Sequence, residues 1–246
     1  MLMAIFEYFD KNAPFLEMTD VSFSAGNVDV IKNVSIQIAK GTTTAFLGKS
    51  GCGKTTALKI LAALINPTEG KVRFRGCTIS DMSANRLELF RKRSGFVFQD
   101  SALFANQDIY HNLELPLMVH CPKLTPKERR ERIHEVTKSV GYEKPLTYRP
   151  AQLSTGEQKK IGFARAIIYN PEILFLDECT ESVDDRSVQK IVTILQNFCY
   201  NKKNLIYVSH DNDFIKTFGG DKYVFNNGVV EKVILQEHKK EDEIQN

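Results

Sequence analysis

A glycine-rich segment at residues 48–56, GKSGCGKTT, limits the possible folds of this chain more than any other feature. It matches the phosphate-binding pattern G-x-x-x-x-G-K-[ST]. The run before it, 42–47, is β-branched and apolar, as in a buried strand, and the run after it, 56–64, is rich in helix formers. A glycine loop between a strand and a helix is the context that this pattern requires. The segment therefore predicts a strand–loop–helix unit that holds a phosphate.

The residue types of the loop indicate how a nucleotide would be held. Glycines allow the backbone to curl until its N–H groups converge on one anion, and the N-terminus of the following helix favours phosphate. Lys54 can reach the β- and γ-phosphates, and the hydroxyl of Thr55 can ligate Mg²⁺. The predicted nucleotide-binding residues are Gly48, Lys49, Ser50, Gly51, Cys52, Gly53, Lys54, Thr55 and Thr56.

A second motif, ILFLDE at 173–178, places two acids after an apolar run. Four consecutive apolar residues are typical of a fully buried parallel strand. Asp177 then falls at the carboxyl end of that strand, where α/β sheets bind ligands, and it can hold Mg²⁺ through water. Glu178 can polarise an attacking water molecule. An acidic pair of this kind is common in α/β proteins, so it supports the phosphate loop without identifying the protein by itself.

A third motif, LSTGEQ at 153–158, resembles the LSGGQ signature of the ATP-binding subunits of ABC transporters. Ser154 follows Lys54 by 100 residues and precedes Asp177 by about 20, as in that family. The resemblance runs from about Phe15 to Val233. It implies ATP hydrolysis with ATP and Mg²⁺ bound.

The resemblance assigns further residues by position. Gln99 in GFVFQD is similar to the Q-loop glutamine, Asp184 in ESVDD to the D-loop aspartate, and His210 in IYVSHD to the switch histidine. It implies that Glu178, His210 and Gln99 act in catalysis and that Thr55, Gln99 and Asp177 hold the metal. It also implies that the signature residues act in trans, on the nucleotide bound by a partner chain. These signature residues are Ser154, Thr155, Gly156 and Glu157.

Alternation of predicted strands and helices indicates an α/β fold. With the resemblance, we expect a P-loop NTPase core with a mostly parallel sheet, an N-terminal antiparallel β-subdomain and an inserted helical subdomain at about 100–155. Residues 1–235 would form one domain, and the charged segment 236–246 is expected to be a disordered tail. The segment Thr125–Glu128 predicts a helix start, and Asn227-Gly228 predicts a hairpin turn.

The resemblance also implies partners. Because the chain has one phosphate loop and one signature, a complete site needs two chains, and a homodimer is expected. The segment Asp100–Phe104 and the run NLELPL after it lie where the family docks membrane permease subunits. The chain would then lie in the cytoplasm at the inner membrane, with membrane contact only through the permease.

Substrate assignment leaves several alternatives open. SALF with NLELPL most resembles the ATPases of Mla/Mce lipid-trafficking importers, and LSTGEQ resembles lipoprotein-release and macrolide-export ATPases. Polar amino-acid importers are a third relative, and a soluble ATPase of the iron–sulfur assembly type is a fourth alternative. DNA-repair and chromosome-structuring ATPases are disfavoured. They insert hundreds of residues of coiled coil between the phosphate loop and the signature, whereas only 100 positions separate Lys54 from Ser154 here.

Several positions depart from the family pattern. Thr155 replaces the first glycine of the signature, Cys179 stands where proline is usual, and Glu181–Asp184 (ESVD) replaces SALD. Ala25 occupies the position of the aromatic residue that stacks on adenine, which predicts weak discrimination between bases. Phe23 is expected in the core because it alternates with Val21.

Composition excludes several function classes. The net charge of +3, from 33 basic and 30 acidic residues, gives no reason to expect a nucleic-acid partner. The five scattered cysteines show no metal-binding spacing and suggest reduced thiols in the cytosol. No apolar run approaches the ~18 residues of a membrane span. The N-terminal MLMAIFEYF lacks the basic start of a signal peptide.

Overall fold

A computed structural model describes residues 13–236. Four strands form a small antiparallel sheet near the N-terminus in the order β2-β1-β4-β5. These strands are β1 Leu16–Ala25, β2 Val28–Ile38, β4 Glu69–Phe74 and β5 Cys77–Thr78. In β1 the apolar Leu16, Met18 and Val21 are buried, so one face of the sheet packs on the core. This sheet is the predicted antiparallel β-subdomain.

A second, six-stranded sheet carries the phosphate loop. Its order is β10-β9-β3-β8-β7-β6, and all neighbours are parallel except the β9–β10 hairpin. The strands are β3 Thr43–Leu47, β6 Ser94–Val97, β7 Ile173–Asp177, β8 Asn204–Val208, β9 Asp221–Asn226 and β10 Val229–Ile234. The hairpin turns at Asn227-Gly228, both with positive φ, as the sequence predicts. The fold class expected from the sequence is confirmed.

Helices cover both faces of this sheet. They are α1 Lys54–Leu61, α2 Ala84–Arg93, α3 Ile109–His120, α4 Pro126–Ser139, α5 Thr155–Ile167, α6 Asp185–Tyr200 and α7 Asn212–Phe218. Alternate residues of β7 enter two cores: Ile173 and Phe175 pack with α1, whereas Leu174 and Leu176 pack with α3 to α6. Both faces of the strand are therefore buried, which accounts for its uninterrupted apolar sequence.

The segment between β6 and α5 contains α3, α4 and a short 3₁₀ turn at Pro150–Gln152. Helix α4 begins where the sequence predicts. Thr125 caps it by accepting a hydrogen bond from the backbone N–H of Glu128, and the Glu128 carboxylate accepts one from the Thr125 N–H. This reciprocal pair is a capping box that satisfies two otherwise free N–H groups.

Register brings the ends of the central strands together. Phe46 of β3 pairs with Val208 of β8, and Val208 pairs with Asp177 of β7. Val97 of β6 pairs in turn with Leu176. The segments that follow β3, β6, β7 and β8 therefore leave the sheet at one edge, where open α/β sheets bind their ligands.

The two chain ends lie mostly outside the described residues. The N-terminal MLMAIFEYF and the expected tail fall there, except for Gln236. The backbone N–H of Gln236 donates to Oδ1 of Asp221 at 2.9 Å, and its side-chain oxygen accepts from the N–H of Gly220 at 2.8 Å. The first residue of the expected tail is thus bonded to the start of β9.

Candidate functional site

The phosphate loop runs from β3 into α1, and two of its glycines are required by close contacts. A Cβ on Gly48 would lie 2.3 Å from the carbonyl oxygen of Phe225, and one on Gly53 would lie 2.9 Å from that of Val30. Both glycines have positive φ, of 138° and 104°. Only glycine combines this backbone conformation with so little space. The loop therefore rests directly on the backbones of β2 and β9.

Lys54 is folded back over the loop. Its ammonium donates to the carbonyl oxygens of Gly48 at 2.8 Å and Lys49 at 2.7 Å, and the side chain is almost fully buried. Among the described residues no carboxylate forms an ion pair with it. Its third contact is with the sulfur of Cys52 at 3.8 Å. All three partners are neutral, which leaves the positive charge available to a phosphate.

Thr55 and Asp177 meet beside the loop. The hydroxyl of Thr55 donates to Oδ1 of Asp177 at 2.8 Å. Burial of Asp177 raises the pKa of its carboxyl group, and the hydrogen bond from Thr55 and the charges of Lys59 and Lys54 oppose that shift. A hydroxyl and a carboxylate are hard oxygen donors of the kind that Mg²⁺ prefers.

These oxygen donors fit Mg²⁺ only in part. Within residues 13–236 no cluster of three or more histidine, cysteine or acidic side chains could hold a metal by itself. Mg²⁺ usually binds one or two carboxylates, water and substrate phosphates. Thr55 and Asp177 could supply the protein ligands of such a site, and the nucleotide phosphates would have to supply the rest.

Glu178 and His210 form the next pair along this edge. Nε2 of His210 lies 3.4 Å from Oε1 of Glu178. Glu178 has a left-handed backbone with φ of 49°, and its N–H donates to the carbonyl of Val208 at 3.1 Å. A non-glycine residue in this conformation stores roughly 1–3 kcal/mol of strain and persists only where its surroundings hold it. The strain directs a carboxylate toward the histidine.

Gln99 does not join the Thr55–Asp177 pair. Its Nε2 lies 3.5 Å from Oε2 of Glu181, at the limit of a hydrogen bond. The same Glu181 oxygen lies 3.3 Å from the ammonium of Lys159 in α5. In this structure the predicted metal ligand Gln99 is therefore bonded to a neighbouring loop.

The signature residues form the start of α5. Ser154 is its N-cap and accepts from the N–H of Glu157 at 3.3 Å, while the Glu157 carboxylate accepts from the Ser154 N–H at 2.8 Å. Burial opposes ionisation of Glu157, but these bonds and Lys144 outweigh it and lower the Glu157 pKa. The side-chain bonds of Ser154 and Glu157 thus go to each other and to Lys144, and none reaches the phosphate loop of this chain.

The next two signature positions differ in their surroundings. Thr155 is exposed in the first turn of α5 with a negative φ, so a side chain is tolerated there. A Cβ on Gly156 would lie 2.6 Å from the carbonyl oxygen of Ser182. The second glycine of the motif is therefore the one that this structure requires.

Asp184 caps α6 and is tied to the signature helix. It accepts from the N–H of Ser187 at 3.0 Å, and its other oxygen lies 2.9 Å from the ammonium of Lys160. The hydrogen bond from Lys160, followed by those from Ser187, holds the pKa of Asp184 well below its usual range.

The structure also shows the surroundings of two other departures from the family pattern, Cys179 and Ala25. Cys179 is buried, and desolvation raises the pKa of its thiol to about 12, so it is unreactive at neutral pH. Ala25 is exposed at the end of β1, next to the turn at 26–27. Phe23 is partly buried and pairs across the strands with Ile31, which contacts Gly53.

Sequence reasoning missed the contribution of Lys159 and Lys160. Both follow the signature directly, and their charges interrupt a helix that otherwise packs into a core. That interruption was the available signal. Glu181 stood out only as a departure from the family pattern, because its partners come from distant segments.

Comparison with known proteins agrees with this geometry. The family model described as ABC transporter matches residues 31–181. An ABC transporter ATP-binding protein of Methanocaldococcus jannaschii, MJ1508, is 36% identical over 76% of this chain and 83% of its own. The macrolide export ATP-binding/permease protein MacB of Marinobacter nauticus is 32% identical over 82% of this chain and 32% of its own length.

A solved structure gives the same result for the fold. It is the dimeric, post-hydrolysis ATP-binding cassette MJ0796 bound to ADP and Pi, and it is 30% identical with a TM-score of 0.82. The match covers 89% of this chain and 98% of that one.

Proposed function

The chain belongs to the ABC transporter family, and on that premise we propose that it drives transport by closing with a second copy of itself over two ATP molecules. It is an ABC transporter ATP-binding subunit, and its activity is ATP hydrolysis coupled to transport. The observation that carries the proposal is the separation of the signature from the phosphate loop. The bonds of Ser154 and Glu157 go to each other and to Lys144 and do not reach the phosphate loop, so we propose that a second chain supplies the signature.

At a single nucleotide, the residues of one chain have separate roles. Lys54 and the loop N–H groups bind the β- and γ-phosphates, and Thr55 and Asp177 hold Mg²⁺. A metal ion held by Thr55 and Asp177 would supply positive charge to balance the charge that develops on the transferred phosphoryl group. Glu178 orients the attacking water and accepts its proton, and His210, 3.4 Å away, fixes that carboxylate. Ser154 and Gly156 of the partner complete the charge-stabilising groups around the γ-phosphate.

Dimerisation on ATP tests this proposal. Glu178→Gln keeps the shape of the side chain but removes its basicity, so it should bind ATP without turning it over. Sedimentation velocity should show a monomer without nucleotide and a dimer with Mg²⁺ and ATP. Adding Lys54→Ala to this variant should abolish the dimer. An ATP hydrolysis rate of Glu178→Gln within about threefold of wild type would contradict the role of Glu178, because removing a general base usually lowers the rate ~10²-fold or more.

The permease would dock on a preformed apolar surface, which we call the docking patch. Phe104 is 47% exposed, and the exposed residues of α3 continue the patch. They are Leu115, Met118 and Val119. Four large apolar side chains exposed within one short stretch of the helical insert favour an interaction site there. Leu103, by contrast, packs inward on the second core.

The loop that presents Phe104 is held rigidly. Ser101 and Ala102 both have positive φ, and Arg165 of α5 donates to their carbonyl oxygens at 2.9 and 2.7 Å. The side chain of Asn112 bonds the N–H and the carbonyl of Phe104. Because Arg165 lies on the helix that begins with the signature, we propose that this helix links the docking patch to the dimer surface.

For the substrate, we propose a lipid, on the resemblance of SALF and NLELPL to lipid-trafficking ATPases. The second candidate is export of a macrolide-like molecule, which the similarity to MacB favours. Co-expression with a neighbouring permease, followed by ATP-driven transfer assays with labelled phospholipid and with a macrolide, separates the two. The isolated ATPase should be slow, and the permease should stimulate it by raising the effective concentration of the two subunits.

We place the chain at the cytoplasmic face of the inner membrane, bound through the permease. Every helix within residues 13–236 is too short or too polar to cross a bilayer. Fractionation with and without the permease gene tests the placement. Equal recovery in the membrane fraction in both cases would contradict docking through the permease.

A further inference from the structure

Two consecutive lysines of the signature helix hold the segment 178–184, which follows β7, at its middle and at its end. The ammonium of Lys159 lies 3.3 Å from Oε2 of Glu181, and that of Lys160 lies 2.9 Å from Oδ2 of Asp184. Asp184 belongs to the family pattern. Glu181 does not, since it stands in ESVD where SALD is usual. The Lys159–Glu181 pair therefore uses a residue that departs from the usual family pattern.

Lys159 also contacts the backbone of the residue proposed as the general base. Only 5% of the lysine side chain is exposed, and a charge so buried needs partners. Besides Glu181, its ammonium bonds the carbonyl oxygen of Glu178 at 3.4 Å. Glu178 is in the left-handed region, with φ of 49°. Such a conformation depends on the contacts that hold it, and Lys159 supplies one of them.

Glu181 extends the contact to the Q-loop. The oxygen that faces Lys159 also lies 3.5 Å from Nε2 of Gln99. Lys159, Glu181 and Gln99 thus form a continuous chain of charged and polar groups beside Glu178.

We propose that Lys159 and Glu181 form a positioning pair that fixes the backbone of Glu178 and holds Gln99 beside it, so that ATP turnover depends on an ion pair with the signature helix. This inference rests on the proposed role of Glu178. In this arrangement the signature helix α5, which would face the partner chain, fixes the position of the segment 178–184.

The test uses the full chain with Mg²⁺ and ATP. Lys159→Met removes the charge but keeps an unbranched side chain, and it leaves Glu181, whose side chain is 55% exposed, in contact with water. Glu181→Gln removes the negative charge of the same ion pair. We expect each variant to lower kcat by about ten- to a hundredfold, as small misplacements of catalytic groups do. The affinity for a non-hydrolysable ATP analogue should stay within about twofold of wild type, which separates positioning from binding.

The double variant and a matched ion pair provide the controls. If the pair acts as a unit, Lys159→Met with Glu181→Gln should be no slower than the slower single variant. Arg73 and Glu17, 3.2 Å apart in the antiparallel sheet, form the control pair. Arg73→Met and Glu17→Gln should leave kcat unchanged even where they lower the Tm.

The outcomes separate this inference from the proposed function. A Lys159→Met chain with kcat within about twofold of wild type would overturn the positioning role. Independent, multiplying losses in the double variant would do the same, as would losses that follow only the fraction of folded protein. In each of these cases an inactive Glu178→Gln chain would leave the proposed function intact. An active Glu178→Gln chain would instead contradict the proposed function itself.

Discussion

The hydroxyl of Thr55 donates a 2.8 Å hydrogen bond to Oδ1 of Asp177, although 122 residues separate the two in sequence. One follows the phosphate loop and the other ends β7, and only β8 lies between their strands in the sheet. The carboxylate is buried, and burial disfavours its ionised form. A bound cation would favour that ionised form.

Asp177→Asn should therefore stabilise the metal-free chain while weakening its response to Mg²⁺ and ATP. Burial raises the folded-state pKa of Asp177. A raised carboxyl pKa means that its contribution to stability is full below the unfolded pKa of ~3.9 and is lost as the pH rises through the folded pKa. At neutral pH the ionised group costs stability, and asparagine removes that cost while still accepting from Thr55.

Thermal unfolding at neutral pH measures this effect. The Tm of Asp177→Asn should exceed that of wild type without ligand, and the two should converge as the pH falls below ~4. The increase in Tm on adding Mg²⁺ and ATP should shrink. Thr55→Val, which leaves the buried carboxylate without its hydroxyl donor, is the matched control and should lower the Tm. A lower Tm for Asp177→Asn at neutral pH would contradict the burial argument.

Lys54→Ala should weaken nucleotide binding itself. The substitution deletes a positive charge whose partners, the carbonyls of Gly48 and Lys49 and the sulfur of Cys52, are all neutral. Hydrogen bonds to a charged group contribute about 1.5–3 kcal/mol, so the Kd for an ATP analogue should rise at least tenfold. Equilibrium titration with Mg²⁺ present measures the change in Kd, and Lys127→Ala, at an 86% exposed lysine of α4, is the control. Unchanged affinity would mean that the loop does not bind phosphate as argued.

Ala25→Tyr should tighten ATP binding and increase the preference for ATP over GTP. The β1–β2 hairpin continues past Ile31, which contacts the phosphate loop at Gly53, so its exposed tip at Ala25 can present a ring to the base. Base–aromatic stacking contributes roughly 1–3 kcal/mol in nucleic-acid complexes. Titration of wild type, Ala25→Tyr and Ala25→Leu with both nucleotides measures the change. An equal gain with leucine would show that area and not stacking is responsible.

Phe104→Asp should abolish stimulation by the permease and leave the basal ATPase unchanged. Phe104 is exposed and its backbone is held by Asn112, so the substitution changes the docking patch without removing core packing. Leu103 is left intact because it packs inward. Pull-down and ATPase assays with the permease measure the effect. Tyr200→Asp, at an exposed aromatic on α6, is the control. Normal stimulation of Phe104→Asp would place the docking surface elsewhere.

Much of this protein could be predicted from its sequence, because the determining patterns are local. The phosphate loop lies between a β-branched strand and a helix, and ILFLDE ends a buried strand in two acids. The caps at Thr125 and Ser154 depend on residues three positions apart. Such patterns specify backbone conformation within a few residues, so strands, helices and the identity of the motifs follow from them.

Side-chain pairing was decided only by the tertiary structure. The bond from Thr55 to Asp177 depends on β8 lying between β3 and β7, and strand order is not a local property. Gln99 is bonded to Glu181 and not to the Thr55–Asp177 pair, because α5 brings Lys159 to that carboxylate. Periodicity specifies which face of an element is buried. Which charged groups meet across that face depends on how distant segments cross, since electrostatic pairing requires contact within a few ångströms.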